Sequence, residues 1–478
     1  MIIAALLLVP PAHASPRQES VFQDDDLLLN APAETVDASM AELASLGADR
    51  VRLTVLWRLL APDVRPANAA DPGAYSPERF VALDHAVASA RAHGLSVLLN
   101  VRGGAPEWAQ GSKRPRRLAD FDAYRPSAKA FGQFVRMLGR RYDGTYAPPG
   151  GEPLARVDAW SIWNEPNWRT LLSPQSQHGR PVAPALYRRL LRAASAALAA
   201  TGHGADVILM GETAPLGERK PGLENSLYAG RFYRELFCLD RRLRPRSHCG
   251  DFAKRGPLTA TGVAHHPYPV LAPPEFRSFG KDEIRLADGR KLARIIDAAR
   301  RAHRVNGRLP IWYTEFGYQT APPDPYRGVS LRRQAAWNVR AEYLAYRDRR
   351  VLSFDQFLLR DGGPRPEYPT SDRRYWSNYQ TGLRFADGRA KPSLDAYRLP
   401  FLRLRHGRFW GMVRPGANGV AQTIRLERRA DAKAPWESVG AHQVTDPHGY
   451  FTLRVRAAGR RQYRFVWRDL ASLPAVKK

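Results

Sequence analysis

The chain has 478 residues, 44% of them hydrophobic and 25% charged, which excludes a disordered polymer and leaves room for one large buried core or two. A formal charge of +28 raises the question of a nucleic acid or another polyanion as partner, because a basic surface attracts polyanions. The arginines are nevertheless spread along the chain, as in RRLLRAA, CLDRRLRPR and YRDRRVL, with no single stripe interleaved with aromatics, so a nucleic-acid partner is not expected.

Residues 2–9 form an apolar run followed by Ala12-His13-Ala14. This pattern reads as a signal peptide over residues 1–14, cut after Ala14, and hence as a secreted protein with no stable membrane anchor. A short apolar arm is the other reading, since no Lys or Arg precedes the run. Cys238 and Cys249 are the two cysteines, and an even count in an exported chain points to one short-loop disulfide, a reduced structural pair being the alternative. Cysteine offers no metal cluster.

In chain order, apolar runs are predicted as strands at residues 26–29, 50–57, 95–101, 157–163, 206–211, 262–265, 310–314 and 354–359. Amphipathic helices are predicted between them at 35–46, 77–93, 127–142, 184–200, 291–303 and 331–348, with Gly47, Gly94 and Gly202 at helix C-caps. About eight strand-then-helix units favour a closed (β/α)₈ TIM barrel over an open doubly wound sheet, and no GxGxxG follows the first strand. The barrel domain is placed at residues 15–400. Short alternating runs beyond it predict a small all-β, β-sandwich-like domain at 401–478, in which Tyr463, Phe465 and Trp467 share one face as core or, alternatively, as a glycan-binding surface.

Two glutamates stand where a barrel places its chemistry, at the C-terminal ends of apolar strands: Glu165 in VDAWSIWNEPNW and Glu315 in LPIWYTEFGYQT. Glycosidic cleavage needs one carboxyl group to protonate the leaving oxygen and a second to attack the anomeric carbon or activate water. WNEPN on a fourth strand with WYTEFG on a seventh resembles clan A glycoside hydrolases, especially the family 5 and family 39 types, over residues 21–399. The resemblance implies Glu165 as acid/base, Glu315 as nucleophile, and the retaining spacing of about 5 to 5.5 Å between them. It further implies that Asn164 binds the substrate 2-hydroxyl and that His266 and Tyr268, in GVAHHPYP, line the sugar site and donate to the nucleophile. Arg52 is implied to hold that nucleophile ionised. His265 is read as a packing neighbour, with an exchange of roles between the two histidines left open.

Glu165 needs a less polar setting to keep its proton, for which Trp163 and Trp168 are candidates. Trp57, Trp108 and Trp168 lie in or after strand ends, where aromatic faces stack on sugars, each with core packing as the alternative. The clan commonly carries a Trp at the end of its eighth strand. FDQFLLRDGG has none, and Gln356, Arg360 and Asp361 there suggest an anionic or unusual sugar. The expected protein is a secreted, monomeric, retaining glycoside hydrolase acting on a poly- or oligosaccharide without cofactor or metal. A non-catalytic glycan- or cell-wall-binding barrel is the rival reading, and substrate and linkage are left open.

Overall fold

The computed structural model describes residues 15, 17–115, 122–220, 222, 225–247, 250–416, 420–456 and 460–477. The expected signal peptide and Cys249 lie outside them.

Eight parallel strands close a barrel: β1 (Glu19–Gln23), β2 (Arg50–Leu56), β3 (Ser96–Arg102), β4 (Ala159–Ile162), β5 (Val207–Thr213), β6 (Gly262–His265), β7 (Ile311–Tyr313) and β8 (Val351–Phe357). β1 pairs with both β2 and β8, which closes the ring. A helix follows each strand: α1 (Ala33–Ser45), α2 (Val81–Ala92), α3 (Ala128–Arg141), α4 (Ala183–Ala199), α5 (Ala229–Leu236), α6 (Gly289–Arg301), α7 (Leu331–Tyr346) and α8 (Pro392–Arg398). Gly47, Gly94 and Gly202 all have positive φ, as their expected capping role requires. Among the described residues no helix is long and apolar enough to cross a membrane.

The expected first strand is corrected. Residues 26–28 belong instead to a short helical turn, Asp25–Leu28, with Leu29 at its C-cap, because Asp24 caps its start by accepting from the Leu27 amide at 3.3 Å. The strand is the preceding ESVFQ.

Alternation along the strands sorts the barrel into layers. Val51, Leu53, Val55, Leu99 and Val101 face the helices in the main core. Leu98, Ala159, Leu209, Ala264 and Trp312 fill the barrel interior as a separate apolar cluster. Trp312 fits there because Gly262 faces it: a Cβ on Gly262 would lie 2.9 Å from the indole. Arg52, Asn100, Ser161, Thr314 and Asp355 interrupt the same runs, are fully buried, and form a polar layer nearer the C-terminal mouth.

The C-terminal domain follows α8. Its strands are β9 (Phe401–Arg403), β10 (Arg408–Met412), β11 (Gln422–Arg429), β12 (Glu437–Val444), β13 (Tyr450–Arg454), β14 (Gln462–Trp467), β15 (Leu470–Ala471) and β16 (Val476–Lys477). They make two four-stranded sheets, ordered β13-β10-β9-β16 and β12-β11-β14-β15. Tyr463, Phe465 and Trp467 are at most 2% exposed and pack with Phe401, Phe409 and Phe451, so that face is core and not a glycan platform. A further cluster joins Ala335, Val339 and Tyr346 of α7 to Leu402, Trp410, Met412 and Tyr450 of the β domain.

Candidate active site

β4 ends at Ile162, and the chain then turns through two left-handed residues, Trp163 (φ 70°) and Glu165 (φ 39°). Such backbone persists only where the surroundings over-determine it. Here the Glu165 amide donates to the Glu212 carbonyl at 2.8 Å, and the Trp168 amide donates to the Glu165 carbonyl at 2.7 Å. Glu315 follows β7 after Thr314, whose amide donates to the His265 carbonyl.

The fully buried Arg52 guanidinium donates to Glu315 Oε1 at 3.1 Å, Asn164 Oδ1 at 2.8 Å and Glu212 Oε2 at 3.2 Å, and also to Gln23. Tyr268 donates its hydroxyl to Glu315 Oε2 at 3.1 Å. His266 Nδ1 stands 3.0 Å from Glu165 Oε1 and 3.4 Å from Glu315 Oε2, while its Nε2 meets Glu212 Oε2 at 2.5 Å. One imidazole therefore touches three carboxyl groups. Burial works against its charge, but Glu315, Glu165 and Glu212 outweigh burial and push His266 up to about 10. His265 is the opposite case. Its Nδ1 meets Thr213 and its Nε2 the Ile284 carbonyl, both at 2.8 Å, and burial draws it down to about 4, so the two histidines do not exchange roles.

Burial lifts the Glu315 carboxyl above its ordinary value, and the His266 and Arg52 cations oppose that rise. Two cations and a phenol hydroxyl within 3.4 Å favour the charged form that a nucleophile needs. Asp355, from β8, is also fully buried, and neither of its oxygens has a hydrogen-bond partner among the described residues. Burial pushes it well above the carboxylate range against the pull of Arg52, so the neutral acid is favoured there.

Glu165, His266 and Glu315 each present one ligand atom within 4.8 Å of the others, the spacing a metal ion would need. The donor chemistry does not fit a metal. Both ring nitrogens of His266 face carboxylate oxygens at 3.0 Å or less, and these carboxylates favour the protonated ring, which has no lone pair to coordinate.

The tryptophans divide. Trp57 is fully buried against Trp108, Phe131 and Phe134, with ring centroids 6.1, 5.4 and 5.9 Å away, so its expected role as a sugar platform is corrected to core packing. Trp108 is half-buried on that cluster and donates its indole hydrogen to the Pro62 carbonyl at 2.9 Å. Trp163 is buried as well, its indole donating to the Leu171 carbonyl and lying where a Cβ on Gly103 would clash at 2.4 Å. Trp168, half-buried like Trp108, lies in the turn after Glu165.

Of the polar residues expected at the end of the eighth strand, Gln356 and Asp361 are tied to other partners. Gln356 binds the Phe357, Leu358 and Thr381 carbonyls, and Asp361 is buried against Lys391 at 2.7 Å. Arg360 is anchored through its amide to Asp24 Oδ2 at 3.0 Å. That strand instead contributes Phe357, which packs edge-on against Tyr268 and against Tyr379, a residue 54% exposed. Arg102, at the end of β3, feels the charges of Glu315, Asp25 and Glu165, and its only hydrogen bond to a described residue is from Nε to the Gly103 carbonyl.

Glu212 was not anticipated from the sequence. The register between β5 and β6 shifts between Gly211 and Thr213, and Glu212 itself has φ 49°. Regular alternation from the inward Leu209 would aim Glu212 outward, and the bulge turns it into the barrel. The available signal was an acidic residue closing the apolar run VILMGET, as Glu315 closes its own.

No protein-family model and no curated protein sequence matches the chain. Among solved structures it is similar to a glucosidase from Croceicoccus marinus, with a TM-score of 0.55 and 14% identity over 97% of this chain and 99% of that one. The chain shares that glucosidase's fold. GH5_18 from Bifidobacterium longum subsp. longum aligns at TM-score 0.48 and 13% identity, covering 80% of this chain and 78% of that one. The endo-β-1,4-mannanase from Thermotoga petrophila aligns at 0.43 and 11%, covering 98% of each.

Proposed function

We propose that this protein is a secreted retaining glycoside hydrolase of the clan A type, with Glu165 as acid/base and Glu315 as nucleophile. The observation that carries the reading is that Glu165 and Glu315 present oxygens within 4.8 Å of each other across one histidine. An inverting pair needs roughly 6.5 to 9.5 Å to admit a water.

Glu165 protonates the glycosidic oxygen as Glu315 attacks the anomeric carbon, the leaving group departs as an alcohol, and a glycosyl ester forms on Glu315. Glu165, now a carboxylate, takes a proton from water, whose oxygen displaces Glu315 and releases the sugar with retained configuration. Arg52 and Tyr268 orient the nucleophile. Because Asn164 Oδ1 accepts from Arg52, its amide hydrogens are the end left for the substrate 2-hydroxyl. Trp168 and Tyr379 supply aromatic surface for the sugar. Arg102, beside the carboxylates with its terminal nitrogens unpartnered among the described residues, favours an anionic glycan. Export, monomeric state and a Cys238–Cys249 disulfide complete the proposal.

The test is hydrolysis of aryl glycosides and of neutral and anionic polysaccharides by wild type, Glu315→Ala and Glu165→Ala. Cleavage of one member, lost by orders of magnitude in Glu315→Ala, is expected. Glu165→Ala should lose most on poor leaving groups, since an activated phenol departs without protonation. Binding of a glycan without cleavage of any panel member would instead favour the non-catalytic barrel.

A further inference from the structure

Glu212 takes no part in the reaction above, yet it accepts from four side chains on four different strands or their ends. Its Oε2 receives Thr314 Oγ1 at 2.7 Å, Arg52 at 3.2 Å and His266 Nε2 at 2.5 Å, and its Oε1 receives Ser161 Oγ. It is fully buried, so its charge is held by these donors and not by water. The consequence falls on His266. With Nε2 committed to Glu212, the ring has one remaining hydrogen, on Nδ1, and two carboxyl groups within its reach at 3.0 and 3.4 Å.

We propose that Glu212 is a positioning residue that holds His266 as a permanent imidazolium, whose Nδ1 hydrogen serves Glu315 in the first half-reaction and Glu165 in the second.

The chemistry of double displacement requires something of this kind. Before the reaction the negative charge sits on Glu315 and the proton on Glu165. In the glycosyl-enzyme Glu315 is a neutral ester and Glu165 is the carboxylate, so one charge has crossed the site. In a buried setting such a shift is costly unless a counter-charge faces both positions. Arg52 cannot follow it, since it is bound to Glu315, Glu212, Asn164 and Gln23 and has no bond to Glu165. His266 Nδ1 already stands 3.0 Å from Glu165, to which it is hydrogen-bonded, and 3.4 Å from Glu315, and needs only to tilt its donor between them. The remaining charged or titratable neighbours do not substitute for it: Asp355 favours its neutral form, His265 is tied up as a neutral ring, Tyr268 donates to Glu315, and Arg102 has no bond to either glutamate.

This inference rests on the glycosidase reading, and its first test does not need turnover. In the full chain labelled with ¹⁵N-histidine, with the His266 signals assigned by comparison with His266→Asn, both His266 nitrogens should remain protonated at pH 8. In Glu212→Gln the ring should lose its second proton at a lower pH than in wild type, Glu315 and Glu165 still supporting the charge, and in Glu212→Asp it should stay charged. A neutral His266 in wild type at pH 7, readable even if no variant folds, overturns the proposal. So does an imidazolium unaffected by Glu212→Gln.

The second test uses a cleaved aryl glycoside. Glu212→Gln should lower kcat/KM, which reports glycosylation, and kcat with an activated leaving group, which reports deglycosylation, each by about 10²-fold. Its alkaline limb should move to lower pH, with partial rescue in Glu212→Asp. A loss confined to KM or to one half-reaction overturns the switching role. Absence of any glycoside cleavage alongside a charged, Glu212-dependent His266 would sink the glycosidase reading while leaving the charge assignment intact.

Discussion

Replacing Arg414 with Met should destabilise the whole chain, and the size of the effect follows from what Arg414 alone compensates. Arg414, just past β10, is 3% exposed and forks onto Glu342 of α7, while also reaching Ser20 Oγ of β1 at 3.1 Å and the Tyr397 carbonyl of α8. Its guanidinium lies 3.9 Å over the Tyr397 ring. Glu342 is 5% exposed, and both of its carboxylate oxygens have Arg414 as their partner. Removing one member of such a pair strands a buried charge and costs about 3–5 kcal/mol. With an unfolding entropy of about 2.1 cal/mol/K per residue, a chain of 478 residues melting as one unit loses on the order of 1 °C per kcal/mol, so Tm should fall by ~3–5 °C. The sign with pH is also set. Burial already lifts Glu342, and without Arg414 its folded-state value rises further above the unfolded one. The penalty is therefore present at neutral pH and is relieved as the solution is acidified and the carboxyl is protonated. Urea titrations of wild type, Arg414→Met, Glu342→Met and the double variant at pH 7.5 and 5 would measure this. A single-variant cost below about 1 kcal/mol, or a double variant no more stable than Arg414→Met, would refute the reasoning.

Trp57→Ala should cost about 3–5 kcal/mol in a denaturation experiment and leave KM within a small factor, whereas Trp168→Ala should raise KM with little change in stability. Glu212 is drawn down to about 2 from an ordinary 4.5, burial opposing but Arg52 and His266 prevailing. Its charge thus contributes on the order of 3 kcal/mol that is fully present above pH 4.5 and lost as pH falls toward 2. The stability gap between wild type and Glu212→Gln in urea should narrow accordingly between pH 5 and pH 3. Truncation after Leu399 should expose Ala335, Val339 and Tyr346, which pack on Trp410 and Met412, and yield a barrel that associates in size-exclusion chromatography.

The barrel was legible because strands buried on both faces read as continuous apolar runs, and the eight runs recur with amphipathic stretches between them. Boundaries mostly held to within a few residues, and the exception was instructive: DDDLLL looked like a strand by apolarity, but Asp24 could cap a helical turn there, and capping is a local hydrogen bond that hydrophobicity does not register. Glu165 and Glu315 stood out for a reason equally local, since each closes an apolar strand in a distinctive motif.

What only the tertiary structure decided is which way side chains face once strands bend. Trp57 and Trp163 come at strand ends, as platform residues would, yet both turn into the layer between barrel and helices. Asp361 follows the eighth strand but pairs with Lys391, while the aromatic surface beside the pair comes from Phe357 and from Tyr379 in a later loop. Glu212 is the clearest case. Period-two alternation assigns it to the outer face, and a single extra residue in the β5–β6 register reverses that assignment. The sequence by itself thus determined seven of the eight strands, the barrel and the two glutamates that close strands, because each depends on patterns within a few residues. The polar network that surrounds the pair depends on contacts between residues up to 263 positions apart, such as Arg52 with Glu315, and only the closed barrel brings them together.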